Sequence, residues 1–412
     1  MKVMALGGAG AMGAEAIRVA SRLPGVSEIA VVDRDLDAAR RVAREVKQDG
    51  DARVRISAVQ LDVTDGRGLR SALSAVDVVL NTVGPYYRFG LGVLSAAIES
   101  RTHYLDICDD WEPTLRMLEL DARARAAGVC AVIGMGASPG VSNLLAAAAA
   151  RELDCVSDVY TAWPVDGPRS SRDGGDGLLA PDGEPSAAAV HWMQQISGTV
   201  AVVRRGRLIQ EAPLRATTLT LPGGRTGTAY TVGHPEPATL LRTLVPTGNA
   251  VNLMVVSPGT AAYLDVLRTD IDRGRLTNES AAASLARPSL GRGLRSMVRA
   301  TRFASPGSLP PFFAAAVGLR DGRRRTALTR LVDDVDHTGA HPAGGAGVDA
   351  LLNDMAKATG IPLALGLSQL LDGAACRSGV HPPDAVIDSD RFFGELAATL
   401  KTSGVRVTVE VG

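Results

Sequence analysis

Lysine is scarce in this sequence, although basic residues as a whole are not. Among 44 lysines and arginines, the only lysines are Lys2, Lys47, Lys357 and Lys401. None of them lies in a segment that carries a candidate site residue. A Schiff-base lysine, or a lysine as the proton-transfer group, is therefore not expected. Carboxylate, tyrosine and histidine side chains remain as the proton carriers.

Cysteine is rare as well, and its placement excludes a disulfide scaffold. The four cysteines are scattered and form no C-x-x-C pair: Cys108, Cys130, Cys155 and Cys376. No secretory leader is recognisable before the first strand. We therefore expect a cytoplasmic protein with free thiols.

Long apolar runs and an excess of one charge are also absent. No apolar run reaches the roughly 20 residues that a membrane-spanning helix needs. The 44 basic and 44 acidic residues cancel, so no charge pattern favours DNA, RNA or an anionic membrane as a partner. We expect a small-molecule substrate instead. A length of 412 residues predicts two domains.

A glycine-rich turn near the N-terminus is the most informative feature that is present. Residues 2–6 form a predicted strand, residues 7–13 (Gly-Gly-Ala-Gly-Ala-Met-Gly) a turn, and residues 14–22 a predicted helix. A second apolar strand, residues 28–32, ends in Asp33. This order of strand, glycine turn, helix and acidic residue is typical of a βαβ unit that binds a dinucleotide.

Each glycine of the turn has a separate task in such a unit. Gly8 permits the tight turn, Gly10 lets the backbone approach a pyrophosphate, and Gly13 leaves room for the helix to pack on the strand. The pyrophosphate is expected at the N-terminus of the helix, beside Ala11 and Met12. The turn therefore predicts a dinucleotide as cofactor.

The choice between NAD and NADP is less clear. Asp33 is placed to accept hydrogen bonds from the adenosine ribose and to repel a 2′-phosphate, whereas the adjacent Arg34 can pair with that phosphate. We lean weakly towards NAD. Asp62, after the next predicted strand (residues 54–63), is either an adenine contact or a simple cap at the strand end.

Strands and helices alternate through the first 150 residues, which predicts a parallel sheet with helices on both faces. The second half of this region adds predicted strands at 77–81, 103–107 and 130–133 and predicted helices at 90–100 and 113–127. Ligands of such sheets gather at the carboxyl ends of the strands. That edge contains residues 8–13, Asp33, Asp62, residues 81–86, 106–109 and 134–140.

The pattern changes after Cys155. Residues 163–185 read as an irregular loop, and residues 200–221 as short strands joined by turns at 205–206 and 222–224. We predict a second α+β domain with a mixed or antiparallel sheet, which is compatible with a homodimer. Helices follow at 348–359, 362–376 and 391–400, and residues 405–411 alternate as a strand does.

Several segments together resemble the saccharopine dehydrogenase-like oxidoreductases. The resemblance covers about half of the chain, and its most specific segment is Asn81-Thr82-Val83-Gly84-Pro85-Tyr86. The other segments are residues 8–13, 104–106, 136–143, 359–362, 379–383 and 392–393.

The resemblance implies a Rossmann domain (1–135), an inserted substrate domain (136–347) and a C-terminal segment (348–412) that returns to the first domain. It also implies an NAD(P)-dependent oxidoreductase. Hydride transfer would take place at a carbon–nitrogen centre of an amino acid, an opine-like or a polyamine-like molecule.

Candidate catalytic residues follow the sheet edge. Asn81, Gly84 and Pro85 are expected to form a wall of the cofactor site. Tyr86 either covers the nicotinamide or packs between domains, and Arg88 either holds a substrate carboxylate or is a solvated helix-start residue.

Two further positions on this edge have a chemical and a structural interpretation. Asp106 is equally a proton-transfer group and a structural residue, while Asp109 is more readily a helix N-cap. The helix start at 138–143 either binds an anion with its N–H groups or is ordinary capping.

The second domain contributes His191 and His234 as acid–base candidates, each of which can instead be structural. His337 and His341 have the spacing of a metal pair, but Gly339 and Pro342 argue against the helix that would align them, so no metal is expected.

Two rival hypotheses remain beside a dehydrogenase acting on a carbon–nitrogen centre. The same fold can reduce a carbonyl or an alkene, or epimerise a metabolite with a recycled cofactor. A catalytically silent nucleotide sensor is the alternative from another class.

Overall fold

The computed structural model describes residues 1–49, 53–166, 184–333, 347–400 and 405–412. The chain divides into two compact units. Unit 1 comprises residues 1–144 and 332–406, and unit 2 comprises residues 145–331 and 407–412.

The strands of both units are numbered in chain order. They are β1 (Lys2–Leu6), β2 (Glu28–Asp33), β3 (Arg55–Gln60), β4 (Val78–Asn81), β5 (His103–Asp106), β6 (Cys130–Val132), β7 (Cys155–Pro164), β8 (Val200–Arg204), β9 (Arg207–Glu211), β10 (Ala216–Leu221), β11 (Arg225–Thr231), β12 (Ala250–Val255), β13 (Phe313–Arg320), β14 (Arg323–Asp333), β15 (Gly379–His381) and β16 (Val405–Val411).

The α-helices are numbered in the same way. They are α1 (Ala11–Ala20), α2 (Leu36–Asp49), α3 (Gly66–Leu73), α4 (Tyr86–Glu99), α5 (Trp111–Leu118), α6 (Asp121–Ala127), α7 (Val141–Ala150), α8 (Ala187–Gln195), α9 (Glu236–Leu244), α10 (Pro258–Asp272), α11 (Asn278–Ala286), α12 (Leu290–Ala300), α13 (Val348–Asn353), α14 (Met355–Leu371) and α15 (Ser389–Leu400).

Unit 1 is built on a parallel sheet. Among the described residues it has seven strands in the order β15-β6-β5-β4-β1-β2-β3. The paired strands run parallel, and β4 and β6 are buried throughout. Strands buried in this way need helices on both faces. The predicted Rossmann fold is confirmed, and the carboxyl ends of β1 to β6 share one edge.

Three helices of unit 1 differ from the sequence prediction. Helix α3 was not predicted, although Asp65 caps it by accepting from the N–H groups of Arg67 and Gly68. The predicted helix 113–127 is two helices, α5 and α6. Pro362 lies inside α14 rather than at its start. An interior proline costs about 3 kcal/mol, and α14 tolerates it because residues 358–367 are buried.

The C-terminal return to unit 1 depends on a glycine in α14. A Cβ atom on Gly360 would lie 2.5 Å from the Met12 carbonyl oxygen and 2.8 Å from the Glu15 Cβ atom, both in α1. Only glycine allows the two helices to approach this closely. Helix α14 is therefore placed against the first turn of α1, which follows the glycine-rich turn.

Unit 2 contains a mixed sheet. Its described strands are ordered β10-β11-β12-β7-β13-β14-β16, with β8 on β12 and β9 on β8. Strands β12 and β7 are parallel, whereas β10–β11, β8–β9 and β13–β14 are antiparallel. The predicted α+β insertion is confirmed. Arg205 and Gly206, with φ angles of 52° and 68°, form the predicted tight turn between β8 and β9.

The compact division differs from the predicted boundaries of 135/136 and 347/348, since it falls at 144/145 and 331/332. Residues 136–144 belong to unit 1, where Asn143 donates to Asp384. The C-terminal strand β16 lies beside β14 in the second sheet instead of returning to the Rossmann sheet. There Glu410 accepts hydrogen bonds from Arg225 and Arg330, which fixes its position.

Neither a membrane span nor a metal cluster occurs among the described residues. No helix within them is long and apolar enough to cross a membrane. No group of three or more histidine, cysteine, aspartate or glutamate residues within them is arranged to hold a metal ion. His337, His341 and residues 167–183 of the predicted loop lie outside the described residues. All four cysteines are described, and all are free thiols.

Candidate functional site

The glycine-rich turn joins β1 to α1 in the geometry that a phosphate group requires. A Cβ atom on Gly13 would lie 2.6 Å from the Gly7 carbonyl oxygen, and one on Gly8 would lie 2.8 Å from that of Ala5. Both positions therefore exclude a side chain. A Cβ atom on Gly10 would meet a single protein atom within 4 Å, the Gly7 oxygen at 3.3 Å. The protein leaves that side of Gly10 open.

The N-terminus of α1 can bind an anion. Gly10 is its N-cap, no side chain caps it, and its first turn contains no acidic residue. The first N–H groups of a helix have no partner within the helix, and the helix dipole favours negative charge there. Ala11 and Met12 lie in this turn, as predicted. The residues fit a dinucleotide pyrophosphate.

Thr82 is a residue of this turn that sequence reasoning did not single out. Its hydroxyl donates to the Leu6 carbonyl oxygen at 2.9 Å, with the Gly7 oxygen at 3.1 Å. The Thr82 hydroxyl oxygen lies 2.9 Å from the positions that Cβ atoms on Gly7 and Gly13 would take. Thr82 thus fixes the turn from the neighbouring strand. In the sequence, the position of Thr82 directly after β4 could have pointed to this role.

Asp33 is the last residue of β2. One oxygen of Asp33 accepts from the Asp35 N–H at 3.1 Å. Asp62 accepts from the Thr64 N–H and hydroxyl at 2.8 and 2.7 Å, which is the local cap that was one of its two interpretations.

The hydrogen bonds from Thr64 lower the pKa of the exposed Asp62 carboxyl, and the charges of Arg34 and Arg88 add to this effect. Both arginines therefore lie within electrostatic reach of Asp62. The Arg88 guanidinium is also 5.0 Å from the Phe89 ring centroid. Of the two interpretations of Arg88, this environment favours the solvated helix-start residue over the substrate contact.

Asn81 and Tyr86 are joined in one buried network. The Asn81 amide donates to the Tyr104 hydroxyl at 3.0 Å, and its side-chain oxygen accepts from the Val83 N–H. The Tyr86 hydroxyl donates to the Asn81 carbonyl oxygen at 2.7 Å. Burial raises the pKa of Tyr86 well above its ordinary value, and Asp106 adds to this. Both side chains therefore hold the loop at Gly84 and Pro85 from inside the unit.

Asp106 is the centre of this network. Its carboxylate is fully buried and accepts from the Tyr104 hydroxyl at 2.7 Å, the Gly134 N–H at 2.7 Å and the Cys108 N–H at 3.0 Å. Burial raises the pKa of Asp106 to about 6, although these three hydrogen bonds lower it. The carboxylate connects the ends of β5 and β6, which favours the structural interpretation of Asp106. The N-cap of α5 is Asp110 rather than Asp109.

The turn before α7 uses its N–H groups internally. Val141 and Ser142 donate to the carbonyl groups of Gly136 and Ala137, and the Gly140 N–H donates to the Asn143 side chain. A Cβ atom on Gly140 would overlap the Gly136 backbone. Ordinary capping is therefore the observed chemistry, and these N–H groups are not available to an anionic substrate group.

Unit 2 holds a second buried polar cluster, centred on His234 and Glu236. Glu236 is fully buried and His234 is 5% exposed. The Nδ1 atom of His234 lies 3.4 Å from Glu236 Oε2, and Asn252 donates to Glu236 Oε1 at 2.8 Å. Trp163 donates to Asn252 at 2.9 Å, and its ring centroid is 5.4 Å from that of His234. The Glu236 carboxylate beside Nδ1 orients the imidazole ring.

His191, the other histidine candidate, is connected to this region through Gln195. Their side-chain nitrogens are 2.9 Å apart, and the Gln195 carbonyl accepts from the Gly233 N–H at 2.9 Å. Gly233 must be glycine, because a Cβ atom there would lie 2.9 Å from the Gln195 carbonyl oxygen. The sequence separates the two histidines by 43 positions, and the fold of unit 2 connects their segments.

Comparison with known proteins agrees with this architecture. Residues 3–132 match the protein family described as the saccharopine dehydrogenase NADP binding domain. The apo saccharopine dehydrogenase (L-Glu forming) of Saccharomyces cerevisiae shares the fold, with 17% identity and a TM-score of 0.60. That match covers 100% of this chain and 99% of the yeast chain.

Two other solved structures are weakly similar over part or all of the chain. GenD2 from gentamicin A biosynthesis, solved with NAD, is 15% identical over 99% of this chain and 96% of its own, with a TM-score of 0.36. A short-chain dehydrogenase/reductase of Mycobacterium ulcerans is 15% identical over 32% of this chain and 65% of its own, with a TM-score of 0.28.

The Rossmann sheet, the open glycine turn and the inserted mixed-sheet unit define an NAD(P)-dependent oxidoreductase. The match of residues 3–132 to that family's NADP binding domain, with a fold shared over the whole chain, supports the predicted resemblance to the saccharopine dehydrogenase-like oxidoreductases.

Proposed function

We propose that this enzyme transfers hydride at a carbon–nitrogen centre of an amino acid, an opine-like or a polyamine-like small molecule. The observation that supports it most is the glycine-rich turn, which belongs to a domain of the saccharopine dehydrogenase type. The absence of lysine from the candidate segments directs the chemistry towards an imine formed between substrates rather than on the enzyme. We place the enzyme in the cytoplasm.

The residues of unit 1 bind and orient the cofactor. Gly8, Gly10 and Gly13 shape the turn, and Asp33 accepts from the ribose hydroxyls. The bound nicotinamide supplies or accepts the hydride. We keep NAD as the preferred cofactor, because the Asp33 carboxylate repels a 2′-phosphate and the charge of Arg34 is partly offset by Asp62.

The reaction also requires a side chain that takes up and releases the proton that accompanies hydride transfer. His234 is the candidate for this group, since an imidazole can both take up and release a proton and Glu236 orients the ring. Asp106 is enclosed by three hydrogen bonds from its own unit, which favours a role in holding the edge loops. We therefore assign proton transfer to His234 and the positioning of the edge loops to Asp106.

Cofactor binding and turnover of a glycine variant test this function. Gly13→Val is expected to weaken NADH and NADPH binding at least a hundredfold, because its side chain cannot fit beside Gly7. Gly92→Val in α4 is the control, since a Cβ atom there meets nothing within 4 Å. NADH oxidation by the wild type should require both an amine and a keto acid or aldehyde.

Three results would contradict the proposal in distinguishable ways. Turnover with a carbonyl or alkene and no amine would assign a reductase, and racemisation without net NADH consumption would assign an epimerase. Tight cofactor binding with no turnover of any amine–carbonyl pair would assign a nucleotide sensor.

A further inference from the structure

The side-chain amide of Asn252 lies at the centre of the buried polar cluster of unit 2. Asn252 belongs to β12 and is completely buried. Its amide nitrogen donates to Glu236 Oε1 at 2.8 Å and to the Thr161 hydroxyl at 2.9 Å. Its amide oxygen accepts from the Trp163 indole N–H at 2.9 Å. Both ends of the amide group therefore have polar partners inside the unit.

These partners leave the Asn252 amide one favourable orientation. A flip of the amide would place its nitrogen against the indole N–H of Trp163, so that two donors would face each other. The flip would also turn the amide oxygen towards the Glu236 carboxylate, which accepts hydrogen bonds and donates none. Buried donors and acceptors without partners are costly, so the flipped amide is disfavoured. Asn252 therefore fixes the position of Glu236 Oε1.

The second oxygen of Glu236 faces the histidine ring. Glu236 Oε2 lies 3.4 Å from His234 Nδ1, and both side chains are buried. Because a carboxylate oxygen accepts, the proton of the neutral ring belongs on Nδ1, and the lone pair is then on Nε2. The Trp163 ring, which Asn252 also holds, lies against the same imidazole with a centroid distance of 5.4 Å. Two groups that Asn252 positions therefore set the tautomer and the tilt of His234.

Regular elements of unit 2 hold these groups in place. Strands β7 and β12 pair in parallel, with Asn252 opposite Thr161 and Met254 opposite Trp163. Glu236 is the first residue of α9, which packs against β12. The N-terminal end of a helix also favours a negative side chain. A site built on strands and helices keeps its side chains more precisely placed than one built on loops.

We propose that Asn252 is a positioning residue for proton transfer: through Glu236 it keeps the proton of the neutral His234 ring on Nδ1 and leaves Nε2 to exchange a proton with the substrate. This inference rests on the proposed role of His234. In the oxidative direction Nε2 takes up the proton that the substrate ammonium group loses, which leaves one proton on each ring nitrogen. In the reverse direction Nε2 returns that proton. The proposal thus names the atom that reacts and the residue that controls it.

An exchange of the amide for a carboxyl group of the same shape tests the proposal. Asn252→Asp places a second carboxyl group beside Glu236, so the two groups must share a proton or repel each other. NMR of the full-length protein with ¹⁵N-labelled histidine shows which ring nitrogen is protonated, and His234→Gln identifies the signals of His234. At a pH at which the ring is neutral, wild-type His234 should be protonated at Nδ1. In Asn252→Asp both tautomers should be populated, with kcat lowered roughly tenfold and KM little changed.

Asn249→Asp is the matched control for this variant. Asn249 donates to Asp158 at 2.6 Å in the same unit, so the substitution creates a similar pair of carboxyl groups. Among the described residues, Asp158 makes no hydrogen bond to a histidine, and it accepts from Ser157 as well as from Asn249. The control should therefore lose stability while the tautomer of His234 and kcat remain those of the wild type.

A double variant separates positioning from a purely structural role. Asn252→Asp/Glu236→Gln exchanges the amide and the carboxyl group, so a donor again faces an acceptor between the two side chains. Its unfolding midpoint in urea should return towards that of the wild type. Its kcat should stay low, because the carboxyl group no longer faces His234.

Two results would overturn the proposal. One is an Asn252→Asp protein in which His234 remains protonated at Nδ1 alone, and the other is a double variant whose kcat recovers together with its stability. Failure of the proposed function would look different. A changed tautomer with an unchanged kcat would support the control of the ring by Asn252 and would remove His234 from proton transfer.

Discussion

Asp106 of unit 1 and Glu236 of unit 2 are both fully buried carboxylates, yet they have different kinds of partners. Asp106 accepts from two backbone N–H groups and a tyrosine hydroxyl, none of which changes charge near neutral pH. Glu236 lies beside the imidazole ring of His234. Burial alone therefore does not identify a proton-transfer site. The kind of neighbouring group distinguishes the carboxylate that holds loops together from the one that we propose to orient a catalytic histidine.

The largest effect is expected from removing the loop-holding carboxylate. Asp106→Ala leaves two buried N–H groups and the Tyr104 hydroxyl without their acceptor, which should lower the free energy of unfolding by about 4 kcal/mol. Denaturant unfolding of the purified variant measures this. Glu236→Ala should cost less, because the Asn252 amide keeps its hydrogen bond to the Thr161 hydroxyl. An equal loss in the two variants would remove the distinction between the sites.

The pH dependence of the unfolding free energy should show the titration of Asp106. The folded-state pKa of Asp106 is about 6 and its ordinary value is 3.8, so between these values the native state holds a proton that the unfolded state has released. This contribution is fully present below pH 3.8 and is lost as the pH rises through 6. The difference in unfolding free energy between wild type and Asp106→Asn should therefore fall by roughly 2 kcal/mol from pH 4 to pH 7. A difference that is flat across this range would contradict the assignment.

The smallest effect, and the one that concerns function, is expected at Glu236. Glu236→Gln preserves the size of the side chain but removes the charge beside His234, so kcat/KM should fall about tenfold, or about 1.4 kcal/mol, with a displaced pH profile. Asp158→Asn is the control, because Asp158 is a buried carboxylate of the same unit that accepts from Asn249 and Ser157. A pH profile displaced equally by both variants would make Glu236 a structural residue.

Features that depend on local backbone chemistry could be predicted from the sequence. The glycines of the first turn, Asp33 and the strands of unit 1 follow from local patterns, because a phosphate-binding turn and an alternating βα order each require particular residues at particular spacings. The turn at residues 205–206 was predictable for the same reason.

Features that depend on distant contacts could not be predicted in this way. Asp106 accepts from Gly134, 28 positions away, as well as from its neighbours Tyr104 and Cys108, and the close approach of Gly360 to Met12 joins residues 348 positions apart. Helix α12 was not predicted. Its apolar spacing predicts a buried face, and only the pairing of its arginines with Asp265 and Asp270 shows which side is turned inward.

The position of Gly360 has a consequence for the synthesis of the protein. The glycine-rich turn and α1 leave the ribosome before unit 2. Helix α14, which packs on the first turn of α1, and the edge strand β15 are translated after all of unit 2 except β16. A nascent chain that ends within unit 2 therefore carries the glycine turn without the surface that supports α1. The cofactor site is therefore completed late in synthesis, after nearly all of unit 2 has been translated.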